Sequence, residues 1–234
     1  MPRSRVNFGA AVATILVVCA CSPAGSPPRT ASESSAPASP KPAASTPDPV
    51  IAAADHGRID GDSAAKTWVI IASDFQCPFC RQWHHESYRQ FVDEYVRSGK
   101  VNVAYLNFPL AQHQNAVPTA QAAMCASAQN KFWQYHDALF ESQDKWSSMQ
   151  QPRPVLDSIA RTVAVDFPEW AKCVDSDRML PLIFADRDRA AGAGVKSTPS
   201  FLVGGQVIEG AQPLSDMRPI IDAAIAKSGG ASPR

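Results

Sequence analysis

The sequence has no surplus of charge of either sign. Its 234 residues include 22 Lys and Arg against 22 Asp and Glu, and charged residues make up 19% of the chain. A protein that holds nucleic acid by bulk electrostatics needs an excess of basic residues, so this class is excluded. Hydrophobic residues make up 45%, which is ordinary for a globular chain and excludes disorder along the whole length.

Long apolar runs, internal repeats and a Gly-rich phosphate loop are missing as well. The one apolar run that approaches membrane length lies near the N-terminus, which excludes a polytopic membrane protein. Without a phosphate loop we predict no nucleotide or other cofactor. The roughly 180 residues that follow the N-terminal region are enough to bury one core, with room for a subdomain.

The first 21 residues have the pattern of a bacterial lipoprotein signal peptide. Arg3 and Arg5 precede an apolar stretch that is too short for a membrane span, as in an export signal. Residues 18–21, Val-Cys-Ala-Cys, resemble a lipobox, in which a small residue precedes the lipidated Cys. We therefore expect lipid on Cys21 and an extracytoplasmic protein anchored to the bacterial cell membrane. The alternative is cleavage after Ala20 and a soluble secreted protein.

Residues 22–50 are too poor in core-forming residues to fold. Of these 29 residues, 21 are Pro, Ala or Ser. Such a segment is predicted to be a disordered, partly extended tether with a reach of roughly 30 Å. The folded domain is then predicted over residues 51–230.

The domain begins with a strand, helix and strand in that order. Arg58 opens a weakly indicated short strand, and residues 67–72 form a continuous apolar run typical of a strand buried on both faces. Apolar residues then recur at helical spacing up to Gly99, and residues 101–105 alternate as in a further strand.

The second half of the domain is predicted to be helical, with a final hairpin and helix. Helical patterns fill residues 115–193, with Asp166 as one helix cap and Ser176 or Asp177 as another. Residues 200–208 form a hairpin around a Gly-Gly turn, and residues 214–225 form an amphipathic helix. Helices placed between a βαβ half and a ββα half indicate an α/β, thioredoxin-like fold with an inserted helical subdomain.

A Cys-Pro-Phe-Cys motif lies where the first long strand gives way to its helix. Cys77 is placed at the helix start, where unpaired backbone N–H groups and the helix dipole stabilise a thiolate. Such a position lowers the pKa of a Cys from about 8.5 to roughly 3.5–7.5. Pro78 suits the first helical position because it lacks an N–H. Cys80, one turn further, is expected to be better shielded and to act as the resolving thiol of a redox pair.

Two other uses of this pair are open. Structural zinc needs four ligands and the chain has no second Cys-X-X-Cys. His84 follows Cys80 by one turn, however, so Cys77, Cys80 and a His could carry copper or zinc in a metal-binding protein. A purely structural disulfide is the other alternative, although such bridges rarely join residues three apart at a helix start.

Four cysteines lie outside the N-terminal region. An exported chain lies where disulfides persist, and four Cys allow three connectivities. Spacing favours Cys77 with Cys80 and Cys125 with Cys173. The second pair is predicted to be a structural disulfide between two helices of the insert.

Three segments together resemble the DsbA-like thiol-disulfide oxidoreductases. They are the Cys-containing segment 73–80, the aromatic segment 132–140 in the helical insert, and the segment 194–201. The resemblance runs in order from about residue 58 to residue 225. It implies an enzyme that exchanges its Cys77–Cys80 disulfide with protein thiols, as an oxidase of folding clients rather than a reductase or isomerase.

The resemblance also implies how clients and partners bind. Thr198 and Pro199 would form a cis peptide bond that faces the Cys pair, with the Thr198 backbone pairing with an extended substrate. Phe75 and Phe79 would offer an apolar surface to unfolded exported proteins. A membrane quinone-linked disulfide reductase or oxidase would recycle the pair. No dimerisation domain is visible, so a monomer is expected, and neither nucleic acid nor a resident metal is expected to bind.

One position departs from the family pattern. Relatives carry an acidic residue six positions before the first Cys, where this chain has Ile71. Without that carboxylate the Cys77 thiolate is expected to be more stable and the disulfide more oxidising. Asp74, three before Cys77, is interpreted as a turn or surface group.

The remaining histidines near these motifs are given structural interpretations. His84 and His85 are expected on one helix, with one facing solvent and the other packed inside. His113 and His136 are expected to have structural roles.

Overall fold

The structure, a computed structural model, describes residues 48–229. The predictions for the signal peptide, Cys21 and most of the tether lie outside the described residues. The strands are β1 Ile59–Asp60, β2 Thr67–Ser73, β3 Val101–Asn107, β4 Ser200–Val203 and β5 Gln206–Glu209. The helices are α1 Pro49–Gly57, α2 Pro78–Trp83, α3 Arg89–Phe91, α4 Ala116–Ser127, α5 Phe132–Glu141, α6 Gln143–Trp146, α7 Arg153–Thr162, α8 Phe167–Asp175, α9 Leu180–Gly192 and α10 Leu214–Lys227.

The five strands form one mixed sheet in the order β1-β3-β2-β4-β5. Strand β2 lies at its centre, parallel to β3 and antiparallel to β4. Val69, Ile71 and Ala72 of β2 are buried, but Trp68 is 42% exposed and Ile70 is half-buried, so the predicted burial on both faces is found only toward the carboxyl end of the strand. The predicted α/β order, with a helical insert between β3 and the β4–β5 hairpin, is confirmed. The carboxyl end of β2 delivers the chain directly to the Cys-Pro-Phe-Cys motif.

The helix after this motif is a single run in which α-helical and π-helical turns alternate. Helices α2 and α3 are joined by the π-helical turn His84–Tyr88, and Val92–Val96 forms a second one. The run turns its apolar residues Trp83, Phe91 and Tyr95 into the core beside the sheet. A π-helical turn is uncommon and is often found at functional sites.

Helices α4 to α9 form the insert. A disulfide joins Cys125 of α4 to Cys173 of α8, with the two Cα atoms 5.8 Å apart. Asp166 caps α8 as predicted, because its carboxylate accepts a hydrogen bond from the Glu169 backbone N–H at 3.1 Å. Asp177 does not cap α9, contrary to the prediction. Its carboxylate accepts from the Gln121 side chain at 3.0 Å, and α9 begins three residues later without a side-chain cap.

Helix α1 is absent from the sequence-based prediction, which placed residues 49 and 50 in the disordered tether. Asp48 caps this helix by accepting from the Val50 backbone N–H at 2.9 Å. The helix packs against α4, where the Ser127 hydroxyl donates to the Ala54 carbonyl at 2.6 Å. The approach is so close at Gly57 that a Cβ there would lie 2.2 Å from the Ser127 carbonyl oxygen. Glycine is therefore required at the end of α1.

The short strand predicted at residues 58–60 is present as β1, which begins one residue later, and Arg58 just before it forms a buried ion pair. Its guanidinium contacts the carboxylate of Asp186, a fully buried residue of α9. The Asn107 side chain donates to the same carboxylate at 2.8 Å. A buried charge needs such partners, so the network ties the start of the domain to the last helix of the insert.

Candidate active site

Cys77 and Cys80 lie at the start of the helix, and both are free thiols in the structure. Cys77 is the N-cap of α2 in an extended conformation, and Pro78 is the first helical residue. The Cys77 backbone N–H donates to the Asp74 carbonyl at 3.0 Å, which closes the turn between β2 and α2. Cys77 is 3% exposed and Cys80 is 2% exposed, so the predicted difference in shielding is almost absent in the resting molecule.

The Thr198–Pro199 peptide bond is cis and lies against Cys77. The Cys77 thiol donates to the Thr198 carbonyl oxygen at 3.4 Å. The Thr198 hydroxyl is buried and has no hydrogen-bond partner within residues 48–229 while Cys77 is a thiol. The structure thus brings together Cys77, Cys80, Thr198 and Pro199, which come from two distant parts of the chain.

The surroundings of the two sulfurs lower the pKa of Cys77 and raise the pKa of Cys80. A hydrogen bond from the Cys80 thiol lowers the pKa of Cys77 to about 6, helped by the Thr198 side chain and by backbone N–H groups of α2, and opposed by burial. Burial raises the pKa of Cys80 well above its usual value, and the neighbouring Cys77 charge raises it further. At neutral pH the reduced site therefore holds a thiolate at Cys77 and a thiol at Cys80.

The acidity of Cys77 makes the stability of the reduced protein depend on pH. The unfolded chain keeps the Cys77 proton up to about pH 9, whereas the folded chain releases it near pH 6. The free energy of unfolding of the reduced protein should therefore rise from about pH 6 to about pH 9, and this gain should be lost as the pH falls through 6. Denaturant midpoints of the reduced protein measure this slope, and thiolate absorbance should titrate with a midpoint near pH 6. The Cys77→Ser variant is the control and should lack both signals. A thiolate midpoint near 9 in the wild type would contradict the assignment.

Besides Cys77, the polar groups that act on the pKa of Cys80 are uncharged. The Asp74 backbone N–H and the Ser73 hydroxyl contact the Cys80 sulfur and partly offset the rise in its pKa. Ile71 is 2% exposed and packs with Trp83 and Phe201 in an apolar cluster that contains neither cysteine.

Asp74 is a turn group, one of the two predicted alternatives, and it is buried rather than at the surface. Its carboxylate accepts from the backbone N–H groups of Gln76 at 2.8 Å and Leu110 at 2.9 Å, and it contacts the His113 ring at 2.8 Å. Burial raises the pKa of Asp74, and these three contacts counter the rise. His113 has the structural role that the sequence predicts for it, because it holds this carboxylate in place.

The helical insert also holds the active-site loop. The Gln143 side chain donates to the Phe75 carbonyl at 2.6 Å and to the Cys77 carbonyl at 3.1 Å. The Gln76 side chain accepts from the Asn115 backbone N–H at 2.6 Å and donates to the Ser147 carbonyl at 2.7 Å. Sequence reasoning missed these residues, since a lone Gln or Asn carries no pattern that points to a partner far along the chain.

The two aromatic residues beside the cysteines have opposite environments. Phe79 is 59% exposed and offers an apolar surface next to the Cys pair, as predicted. Phe75 is fully buried, contrary to the prediction. Its ring stacks on Tyr105 with centroids 5.0 Å apart and packs against Phe140 of α5. The extended loop turns Phe75 inward, so only Phe79 is available to a client.

The structure does not assemble the metal site proposed for Cys77, Cys80 and a His. Within residues 48–229, the groups of three or more potential ligands with atoms inside 4.8 Å include neither cysteine. His84 is buried and its Nε2 lies 3.1 Å from the Asp137 carboxylate. His85 is exposed, as expected for a helix with one histidine inside and one outside. The metal-carrier interpretation therefore has no support from the geometry.

Comparisons with known proteins agree with this geometry. A family model described as "Thioredoxin" matches residues 54–223. The "Probable disulfide bond formation protein D" of Bacillus anthracis is 28% identical over 150 residues, covering 63% of this chain and 69% of that protein. Among solved structures, Wolbachia pipientis alpha-DsbA1 has 20% identity and a TM-score of 0.66, over 73% of this chain and 92% of that one.

A second solved structure supports the same fold. Oxidised BdbD from Bacillus subtilis has 18% identity and a TM-score of 0.66, covering 73% of this chain and 94% of that one. The family match extends from within α1 to within α10, so it includes the sheet, the Cys pair and the insert. The chain therefore belongs to the thioredoxin family and has the DsbA-like form of its fold.

Proposed function

We propose that this protein, a DsbA-like thiol-disulfide oxidoreductase, is exported and oxidises the thiols of folding proteins. The proposal rests on the difference between the lowered pKa of Cys77 and the raised pKa of Cys80. A Cys77 thiolate with a pKa of about 6 is a good leaving group, and its stabilisation lowers the free energy of the reduced site. A stabilised reduced state makes the Cys77–Cys80 disulfide a stronger oxidant, which favours transfer of the disulfide to clients.

The exchange proceeds in two steps that balance in electrons and protons. A client thiolate attacks Cys77 Sγ of the disulfide, the Cys77–Cys80 bond breaks, and Cys80 leaves and takes up a proton because its pKa is raised. A second client thiolate then attacks the client sulfur of this mixed disulfide and releases Cys77 as a stabilised thiolate. The client gains a disulfide, and the enzyme becomes a dithiol that holds the two electrons.

Client binding is proposed to use Thr198, Pro199 and Phe79. The Thr198 carbonyl lies 3.4 Å from Cys77 Sγ, so an extended peptide beside this backbone passes the reacting sulfur. Phe79 supplies an exposed apolar contact two residues from Cys77. Both features suit unfolded or partly folded chains. A membrane quinone-linked partner is proposed to reoxidise the dithiol.

The proposal is tested by measuring the direction in which electrons pass between this protein and a client protein. The oxidised protein, mixed with a reduced and unfolded client in the absence of any other oxidant, should transfer close to one disulfide per molecule. Equilibration with glutathione should then place the Cys77–Cys80 couple at a more oxidising potential than a thioredoxin measured in parallel. A couple as reducing as thioredoxin, with efficient insulin reduction, would overturn the oxidase role and leave a reductase.

The proposed location is the outer face of the cell membrane, through lipid on Cys21. Within residues 48–229, no helix is both long enough and apolar enough to cross a membrane. Cys21→Ser should move the protein from the membrane fraction to the soluble fraction, because the lipid would be its anchor. Fractionation and mass spectrometry of the N-terminal peptide measure this, with Cys19→Ser as the matched control. An unmodified Cys21 in a soluble mature protein would favour secretion instead.

A further inference from the structure

Two imidazoles and a carboxylate meet where the active-site helix packs against the insert. His84 begins the first π-helical turn, while His136 and Asp137 lie on α5. His84 Nε2 lies 3.1 Å from Asp137 Oδ1, and His136 Nδ1 lies 2.8 Å from the same oxygen. We propose that these three residues form a binding site for a divalent first-row metal ion, with zinc as the best match. The site is separate from the Cys pair and goes beyond the proposed oxidase activity.

The spacing of the three ligand atoms suits zinc. Bonds of about 2.0–2.2 Å in a tetrahedral site place neighbouring ligand atoms about 3.3–3.5 Å apart. The two distances to Asp137 Oδ1 are 3.1 and 2.8 Å, and all three ligand atoms lie within 4.8 Å of one another. These two distances are a few tenths of an ångström shorter than in such a site, so each imidazole moves outward slightly, and the ring nitrogen that faces Asp137 binds the ion through its lone pair. Two imidazoles with one carboxylate are a usual donor set for catalytic zinc and for non-haem iron.

Burial keeps the two histidine rings rigid, and the exposure of Asp137 gives access from solvent. His84 and His136 are 8% and 3% exposed, and their rings are fixed by aromatic contacts with Tyr88 and Phe140. The Asp137 side chain is 51% exposed and opens into a cleft between the two helices. A metal ion has an entry path through this cleft, and a water molecule from it can complete the tetrahedron.

The charges that line the cleft favour a cation. Four carboxylates face two guanidinium groups, and the charged residues of the lining are Asp60, Asp93, Asp137, Glu141, Arg89 and Arg97. Arg97 is already paired with Asp93. The rest of the lining has three carboxylates against one guanidinium, so bringing a divalent ion into the cleft is electrostatically favourable.

A neighbouring set of ligands is less suitable and provides matched controls. His84, His85 and Glu141 also lie within 4.8 Å of one another. His85 Nδ1 is 3.9 Å from the Glu141 carboxylate, and His85 Nε2 accepts a hydrogen bond from the Arg81 guanidinium at 3.3 Å. A fixed cation beside His85 opposes a second cation there. The His85 and Glu141 side chains are also largely exposed, which leaves them less preorganised.

An ion at this site would join the active-site helix to the insert. His84 follows Cys80 by four residues, and α5 belongs to the insert. An ion that binds only the folded protein stabilises it in proportion to the logarithm of its free concentration. The thermal midpoint of the protein should therefore rise with added zinc and return to its starting value with a chelator.

The test is calorimetric titration of the untagged, full-length protein with zinc chloride. The Cys77–Cys80 disulfide is kept formed so that no thiolate competes for the ion. We expect one ion per molecule in the wild type, with affinity reduced by about tenfold or more in Asp137→Asn and in His84→Gln. Asp137→Asn keeps an oxygen for both imidazoles, so its fold should survive, which circular dichroism checks. His85→Gln should bind like the wild type, and Glu141→Gln, which removes a cleft charge but no ligand, should lose less affinity than Asp137→Asn.

Two outcomes would overturn the proposal. One is the absence of binding, or of any loss of affinity in a folded Asp137→Asn protein. The other is a loss of affinity in His85→Gln or Glu141→Gln that equals or exceeds the loss in Asp137→Asn. Cobalt(II) supplies a second readout, because histidine and carboxylate ligands give visible bands without the thiolate-to-metal charge-transfer band. In a parallel cobalt titration of the protein with Cys77 and Cys80 reduced, a thiolate band without the histidine and carboxylate bands would place the ion at the cysteines and would also contradict the proposal. None of these measurements uses exchange activity, so they fail or succeed independently of the oxidase proposal.

Discussion

Serine at position 80 is expected to turn the enzyme into a trap for its clients. Cys77 keeps its place at the helix start and can still join a client through a mixed disulfide. The adduct forms when the Cys77 thiolate attacks a client disulfide, and Cys80 Sγ, which hydrogen-bonds to Cys77 in the reduced site, is no longer there to attack the mixed disulfide and release the client. Covalent adducts should accumulate, and turnover should fall to background. Non-reducing gels and mass spectrometry of adducts from cells that express Cys80→Ser measure the result.

Cys77→Ser is the partner experiment and should behave in the opposite way. Burial and the neighbouring Cys77 raise the pKa of Cys80, so at neutral pH it remains a protonated thiol that reacts poorly. Neither adducts nor turnover are expected from this variant. Adducts in Cys77→Ser with none in Cys80→Ser would show that the two roles are reversed. The double variant controls for adducts through any other thiol.

Removal of the insert disulfide should cause a large loss of stability without changing the active site. Cys125 and Cys173 are 48 residues apart in the sequence, and a cross-link of that span stabilises a protein by about 4 kcal/mol in the chain-entropy model. For a domain of this size, that loss lowers the thermal midpoint by about 8–16 °C. Replacing both residues by alanine should cause this shift, as followed by calorimetry.

Exchange activity should survive in the same double variant at low temperature. Residues 125 and 173 lie in α4 and α8, and neither hydrogen-bonds to the active-site loop. The control is the wild type with the Cys77–Cys80 pair reduced selectively, which should keep the high midpoint. Loss of activity in a folded double variant would indicate that electrons pass between the two pairs.

Features set by local chemistry could be predicted from the sequence. The apolar run of β2 indicates a strand, and Cys77 and Pro78 fit a helix start. The Gly204–Gly205 turn needs positive φ at both positions, 57° and 83°, which only glycine adopts freely. The existence of the Cys pair, its helix and the hairpin therefore followed from residues that are close in sequence.

Features set by distant contacts could not be predicted. The Asp74 carboxylate is buried because it accepts from Leu110, and the Phe75 carbonyl is satisfied by Gln143, a residue 68 positions away. No local pattern distinguishes such groups from exposed ones. Helix α1 is a different case, since Asp48 and the Pro at the first helical position are a helix-start signal. The helix was not predicted because the surrounding Pro-, Ala- and Ser-rich composition is typical of a disordered segment.

The side-chain bridges from the insert to the active-site loop limit how this fold can be recombined. Gln143 binds the carbonyls of Phe75 and Cys77, and Asn115 binds the Gln76 side chain. Excising the insert would leave buried carbonyl groups of the loop without donors, at a cost of about 1–3 kcal/mol for each. A chimera that joins this sheet to a foreign insert therefore needs an equivalent amide at position 143. The insert and the redox loop must therefore be exchanged together, although Gln143 and Phe75 are 68 residues apart in the sequence.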